Sequence, residues 1–150
     1  MSNKYRYRRG PQISRAVKKN GAVAIEQGDM VDITQSTGKV DPVSASGDAD
    51  DLYGIAMDAS PATDATSTVI KVLEIGHGTV FEMIVASATQ VLGQPYVISG
   101  AQTLLKKTLT DLQSTATNVV AVCAEALDTA GTSVLVEFLS GVYQKDIALS

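Results

Sequence analysis

The sequence predicts an all-β fold, mainly strand with one or two short helical turns: a small β-barrel or β-tulip-like body behind an extended N-terminal arm. Three observations predict it. Residues 52–85 hold three apolar runs rich in β-branched side chains, at 52–57, 68–75 and 79–85. A stretch rich in Ser, Thr and Asp separates the first two, and Gly76-His77-Gly78 separates the last two. Short runs bounded by turn residues read as strands rather than helices. Alternation in Met30-Val31-Asp32-Ile33-Thr34, and turn residues at short intervals elsewhere, repeat the same signal.

Residues 1–20 read as the arm and 21–150 as the body. The arm has few apolar residues and no lasting period, so it is expected to be extended and to order only against a partner. In the body, 22–25 is a short apolar run and Gly28-Asp29 a turn. Val31 and Ile33 are then expected to face a core, with Asp32 and Thr34 toward water. Thr37-Gly38 turns the chain into 39–43, where Pro42 marks a strand edge or end. Residues 44–51 form a small acidic loop. The runs 68–75 and 79–85 are expected to pair as a hairpin, because glycine at both ends of a three-residue connection permits positive φ. Residues 86–93 read as a turn or a single helical turn, 94–98 and 103–107 as strands joined at Ser99-Gly100, and 110–115 as a polar connection. Residues 117–126 read as a buried strand, 132–139 as the last barrel strand, and 141–150 as a short strand or docked tail.

A short internal echo runs through the body. Gly28-Asp29-Met30-Val31-Asp32-Ile33 is similar to Gly93-Gln94-Pro95-Tyr96-Val97-Ile98. Further on, Gly54-Ile55-Ala56-Met57-Asp58-Ala59 parallels Ala121-Val122-Cys123-Ala124-Glu125-Ala126. Two similar β units folded together suit a barrel or sandwich with pseudo-symmetry.

The later strands are apolar on both faces. Val134, Val136 and Phe138 alternate with Leu135, Glu137 and Leu139; Phe81, Met83 and Val85 alternate with Val80, Glu82 and Ile84. Either a neighbouring subunit covers the outer face through Leu135, Leu139, Val80 and Ile84, or both faces are buried within one fold.

The 150 residues suffice for one domain burying roughly 70% of the surface its unfolded chain exposes. No apolar stretch reaches membrane-spanning length, and no apolar segment follows the basic N-terminus as in a signal peptide. The expectation is synthesis in a cytoplasm. Cys123 stands alone, so no intramolecular disulfide can form. The net charge of −4 hides an asymmetry: Lys4, Arg6, Arg8, Arg9, Arg15, Lys18 and Lys19 precede the first acid, Glu26. The five remaining lysines face all sixteen acids. Such an arm could neutralise phosphates or clamp acidic protein grooves; the acidic body, without a recognised nucleic-acid module, favours protein. The partner-binding residues are therefore expected to be Tyr5, Arg6, Tyr7, Arg8, Arg9, Arg15, Lys18 and Lys19.

Catalytic patterns are weak. His77, the single histidine, sits between glycines in a turn, and Cys123 lies in an apolar run where a small buried hydrophobe is the ordinary role. No multi-ligand metal spacing and no Gly-x-Ser-x-Gly elbow occurs. Asp48, Asp50 and Asp51 could attract a divalent cation but lack the full Ca²⁺-loop pattern. The expectation is a non-enzyme without catalytic residues, metal or cofactor.

The order Gly54-Ile55-Ala56, a small or acidic loop, Ser67-Thr68, an alternating strand, then Gly78-Thr79-Val80-Phe81-Glu82 resembles the head decoration proteins of tailed bacteriophages. The wider layout resembles the phage capsid-cement family in Gly28-Asp29-Met30-Val31, Thr37-Gly38-Lys39-Val40, Tyr53-Gly54-Ile55-Ala56-Met57, Gly93-Gln94-Pro95-Tyr96-Val97 and Ala121–126. The resemblance implies a β-rich body that trimerises on the outside of an icosahedral head, at three-fold and quasi-three-fold positions, and braces the major capsid protein lattice. It implies neither catalysis nor cofactor. The alternatives are a nucleic-acid-binding module using the basic arm, a tail or fibre component of the same virion, and a small hydrolase using His77 or Cys123.

Overall fold

The computed structural model describes residues 5–34, 36–45, 48, 51–65, 67–88, 92–106, 119–125 and 131–139, without the side chains of 83–88, 103 and 131–133. The strands are β1 (Arg6–Arg9), β2 (Ser14–Lys19), β3 (Met30–Thr34), β4 (Lys39–Pro42), β5 (Leu52–Ala56), β6 (Val69–Glu74), β7 (Val80–Ala88), β8 (Pro95–Gly100), β9 (Thr103–Lys106), β10 (Ala121–Glu125) and β11 (Gly131–Phe138). There is no α-helix among the described residues. The protein is all-β. β2–β6 close a five-stranded barrel in the order β2-β4-β3-β5-β6, and the rest form a sheet in the order β1-β7-β11-β10-β8-β9.

Three expectations are overturned. Residues 14–19 are not part of an arm: β2 completes the barrel, antiparallel to β6 and parallel to β4. Its two buried or half-buried side chains are Val17 and Lys19, and the three cations of the strand, Arg15, Lys18 and Lys19, hide that alternation. Residues 6–9 likewise pair with β7. The second correction concerns the runs around Gly76-His77-Gly78, which do not pair with each other. β6 pairs with β5 and β2, whereas β7 pairs with β1 and β11. The two glycines, at φ 89° and 79°, carry the chain out of the barrel into the sheet. Residues 86–88 continue β7 rather than turning. Residues 110–115 and 141–150 lie outside the described residues.

The echo is a structural duplication. Met30 pairs with Ile55 and Val31 with Gly54; at the same offsets Pro95 pairs with Val122 and Tyr96 with Ala121. Gly28 N donates to Ala56 O (2.8 Å) and Ala56 N to Asp29 O (2.8 Å). Their counterparts are Gly93 N to Cys123 O (2.9 Å) and Cys123 N to Gln94 O (2.9 Å). Both turn glycines have positive φ, 91° and 78°. Extending the register matches β2–β6 with β7–β11 strand for strand, in the same spatial order. The units differ in closure. β2 and β4 join in parallel to shut the barrel, while β7 takes β1 on that side instead.

Packing explains the difference. The barrel interior holds Ile25, Val31, Val40, Ala56, Ile70 and Val72, small enough for five strands. The matching positions in the second unit carry Tyr96 and Leu104, and its inner face also bears Phe81 and Phe138. These side chains share one core with Met30, Ile55 and Leu73 from the outside of the barrel. The second unit therefore stays open and wraps its sibling. Gln102, at φ 56° and buried in the β8–β9 turn, ties the units together. Its amide accepts from Met30 N (2.6 Å) and donates to Met30 O (2.7 Å) and Val43 O (3.1 Å).

Candidate functional site

The residues singled out in the N-terminal segment fall into three environments. Two are core. Tyr5 is 2% exposed and meets Phe138 edge to face at 5.6 Å; burial pushes its pKa upward, so the hydroxyl stays neutral. Lys19 is 0% exposed. Its Nζ donates to Ser60 Oγ (3.0 Å) and Pro61 O (2.9 Å), and Ser60 Oγ donates to Asp64 Oδ2 (2.8 Å). Neither residue is placed to meet a partner, which corrects the expectation for both. The sequence concealed this because a lysine inside a small barrel has no periodic signature.

Others are on the surface but engaged. Arg8 pairs with Glu82, Arg9 Nη1 with Glu125 Oε2 (3.2 Å), and Arg15 Nε with Glu74 Oε2 (2.9 Å). Tyr7 packs against the shared core and donates its hydroxyl to Gly10 O (2.8 Å). Arg6 and Lys18 are exposed and make no ion pair with a described residue. β1 is the outermost strand of its sheet: β7 is its partner on one side, and no described strand pairs on the other. Its residues Arg6, Arg8 and Arg9 thus line an open edge.

Between this strand and the barrel lies a cleft of about 440 Å³, lined by Tyr5, Tyr7, Gln27, Met57, Leu73 and Phe81 among others. Its walls are mostly apolar, and no carboxylate, imidazole or thiol lines it. The Tyr5 hydroxyl is buried without a hydrogen-bond partner.

Of the expected subunit interface, Val80 is buried (6% exposed), and Leu135 and Leu139 are half-buried. Leu135 alternates with the core residues Val134 and Val136 and so lies on the sheet's outer face. Ile84 stands opposite Ser133 in β7, but its side chain is outside the described residues. Val80 is therefore not an open contact.

The possible catalytic groups are far from one another in kind of environment. Cys123 is buried, its thiol 3.2 Å from Glu125 O, and burial raises its pKa. His77 is exposed, with Nε2 3.0 Å from Glu74 Oε1. Glu74 is a hub that sequence reasoning missed. It also accepts from Tyr53 (3.0 Å) and Arg15, and although burial opposes ionisation, these three donors hold its carboxyl below the usual range. Burial, then the Glu74 hydrogen bond and charge, push Tyr53 up to about 12. No three His, Cys, Asp or Glu side chains among the described residues converge as a metal site.

Asp32, read as a solvated outward residue, is half-buried. Burial first, then the charge and hydrogen bond of Asp48 and the charges of Asp41 and Asp51, push its pKa up to about 7. The acidic loop thus closes onto β3. Asp48 Oδ2 accepts from Ser44 N (2.8 Å) and Ala45 N (3.1 Å). Asp50 lies outside the described residues.

No protein-family model matches this sequence, and no curated protein matches it.

Proposed function

We propose that this chain is a decoration, or cement, protein of a tailed bacteriophage. In this reading it is made in the host cytoplasm, binds the outer surface of the assembled head as trimers at three-fold and quasi-three-fold positions, and braces the major capsid protein lattice without enzymatic activity. The observation that carries the reading is β1: a cationic strand at the open edge of a sheet, held on a double-unit body. Such an edge can extend into a neighbour's sheet through main-chain hydrogen bonds, with the exposed Arg6 reaching acidic side chains. Weak single contacts repeated around a shell gain strength by shared occupancy.

A nucleic-acid role for the same segment draws less support. Arg8, Arg9 and Arg15 already face carboxylates of the chain itself, and Lys19 is buried, so few cations remain to release counterions. The deciding experiment is a reconstruction of the particle whose genome encodes this chain. Density for the double-unit body outside the shell, at three-fold positions, supports the reading; its location on the tail, or its absence from the particle, overturns it.

A further inference from the structure

Asn20 and Gly21 follow β2 at the seam that shuts the barrel. Two register pairs join β2 to β4, Lys18 with Lys39 and Lys19 with Val40. Asn20 extends the seam: its main-chain N donates to Val40 O (2.9 Å), and its side-chain Nδ2 donates to Asp41 Oδ2 (2.9 Å). Lys19 and Val40 are buried, so Asn20 and Asp41 meet on the outer side of the wall.

Of the three asparagines, Asn3, Asn20 and Asn118, only Asn20 precedes a glycine. A main-chain nitrogen can attack the side-chain carbonyl carbon of the asparagine before it. Glycine obstructs that approach least, because it has no Cβ. The surroundings leave the attack open. Gly21 lies half-buried in a bend, ahead of the exposed Ala22, Val23 and Ala24. Its N–H makes no hydrogen bond with a described residue, so no main-chain bond has to break to bring it round. Asn20 is itself half-buried, within reach of water.

We propose that Asn20-Gly21 is a self-modification site, at which the Asn20 amide is lost and the barrel seam is weakened. Gly21 N bonds to Asn20 Cγ and gives its proton to solvent. The Cγ–Nδ2 bond breaks, and Nδ2 leaves as ammonia with a proton from water. The cyclic imide then takes up a water and opens at either carbonyl. The product carries a carboxylate at position 20, on a main chain that runs either as before or through the side-chain carbons. No oxidant or cofactor takes part.

Both products replace the donor to Asp41 with a negative charge. Asp41 already stands opposite Asp32 in β3, so three carboxylates would then face one another across neighbouring segments. Like charges directly opposite each other destabilise a sheet. The product linked through the side chain also lengthens the main chain where Asn20 N meets Val40 O. The reaction belongs to the chain itself and is independent of any capsid.

Peptide mapping by mass spectrometry tests it, on the native full chain held at mildly alkaline pH and body temperature. Amide loss is expected at Asn20 ahead of Asn3 and Asn118. Gly21→Ala should slow it at least about tenfold, by holding the reacting atoms apart. That variant is compatible with the fold: an added Cβ would meet Asp41 Oδ1 at 3.7 Å and Val23 Cγ1 at 4.0 Å, both ordinary contacts. In urea titrations the aged chain and Asn20→Asp should both unfold at lower denaturant than the fresh chain. If Asn20→Asp does not fold, the aged wild-type chain carries that comparison by itself. A parallel incubation of the urea-unfolded chain sets the time over which loss is judged. An Asn20 amide still intact in the native chain by then overturns the proposal. So does loss equally fast in Gly21→Ala, or an aged chain as stable as the fresh one.

Discussion

Arg15 and Glu74 form an ion pair, Nε to Oε2 at 2.9 Å, at the register positions that Phe81 and Phe138 occupy in the second unit. The phenylalanines meet edge to face at 5.7 Å inside the shared core. The same place in a duplicated unit is thus polar where one barrel closes and aromatic where its sibling wraps around it. That exchange shows how one topology serves two roles.

Glu74 is the more important partner of that pair. Arg15 is 60% exposed, so Arg15→Ala should lower stability by less than about 1 kcal/mol. Glu74→Gln weakens three charge-assisted hydrogen bonds and should lower it by about 1–3 kcal/mol. Because its folded pKa is depressed, the Glu74 contribution is present above the unfolded value near about 4.3 and is lost as pH falls through the folded one. Urea titrations at neutral pH and near pH 3 measure both effects; equal sensitivity of the wild type and Glu74→Gln to acid would contradict the assignment.

Asp32 has the opposite sign. Its raised folded pKa means its contribution is complete below about 4 and declines as pH rises through about 7. Asp32→Asn should therefore stabilise the protein at pH 8 relative to the wild type, with the difference shrinking toward pH 4. Thermal melts across that range give the comparison.

Lys19 is expected to act on folding. Lys19→Ala strips the partner from Pro61 O, leaves Ser60 Oγ with Asp64 alone, and opens a void in the barrel. The loss should be about 3 kcal/mol or more. Chemical denaturation reads it directly, and a loss below about 1 kcal/mol would exclude the buried placement.

Gly54 has no room for a side chain. An added Cβ would press on Leu73 O and lie 2.6 Å from Val72 Cγ1. Gly54→Ala should lower stability by about 1–3 kcal/mol, although the equivalent residue in the second unit is Ala121. An unchanged melting temperature would show that the barrel can widen there.

Truncation separates the two N-terminal strands. Removing residues 1–9 deletes Tyr5 and β1, uncovering Phe138 and Phe81, and should leave a folded but weaker protein. Removing residues 1–19 also takes β2 out of the barrel and should prevent folding. Amide spectra of the two forms distinguish them.

Local pattern made most strands readable. β3 follows from alternation, β5 and β6 from β-branched runs between turn residues, and the equivalence of Gly28 with Gly93 from a few matching residues. Sites were less legible. Tyr5 and Lys19 resemble surface residues in a cationic segment, and Glu74 shows nothing to distinguish it from fifteen other acids.

By itself, the sequence determined most of the strands from β3 onward and the similarity of two stretches, because these depend on side-chain alternation and backbone freedom within a few residues. Tertiary structure decided which strands pair, that Gly76-His77-Gly78 leads out of the barrel, and that one unit closes while the other opens. Those choices depend on volume and burial summed over distant residues: Val31 and Ala56 fit within five strands, whereas Tyr96, Phe81 and Phe138 need the outside of the barrel to pack against.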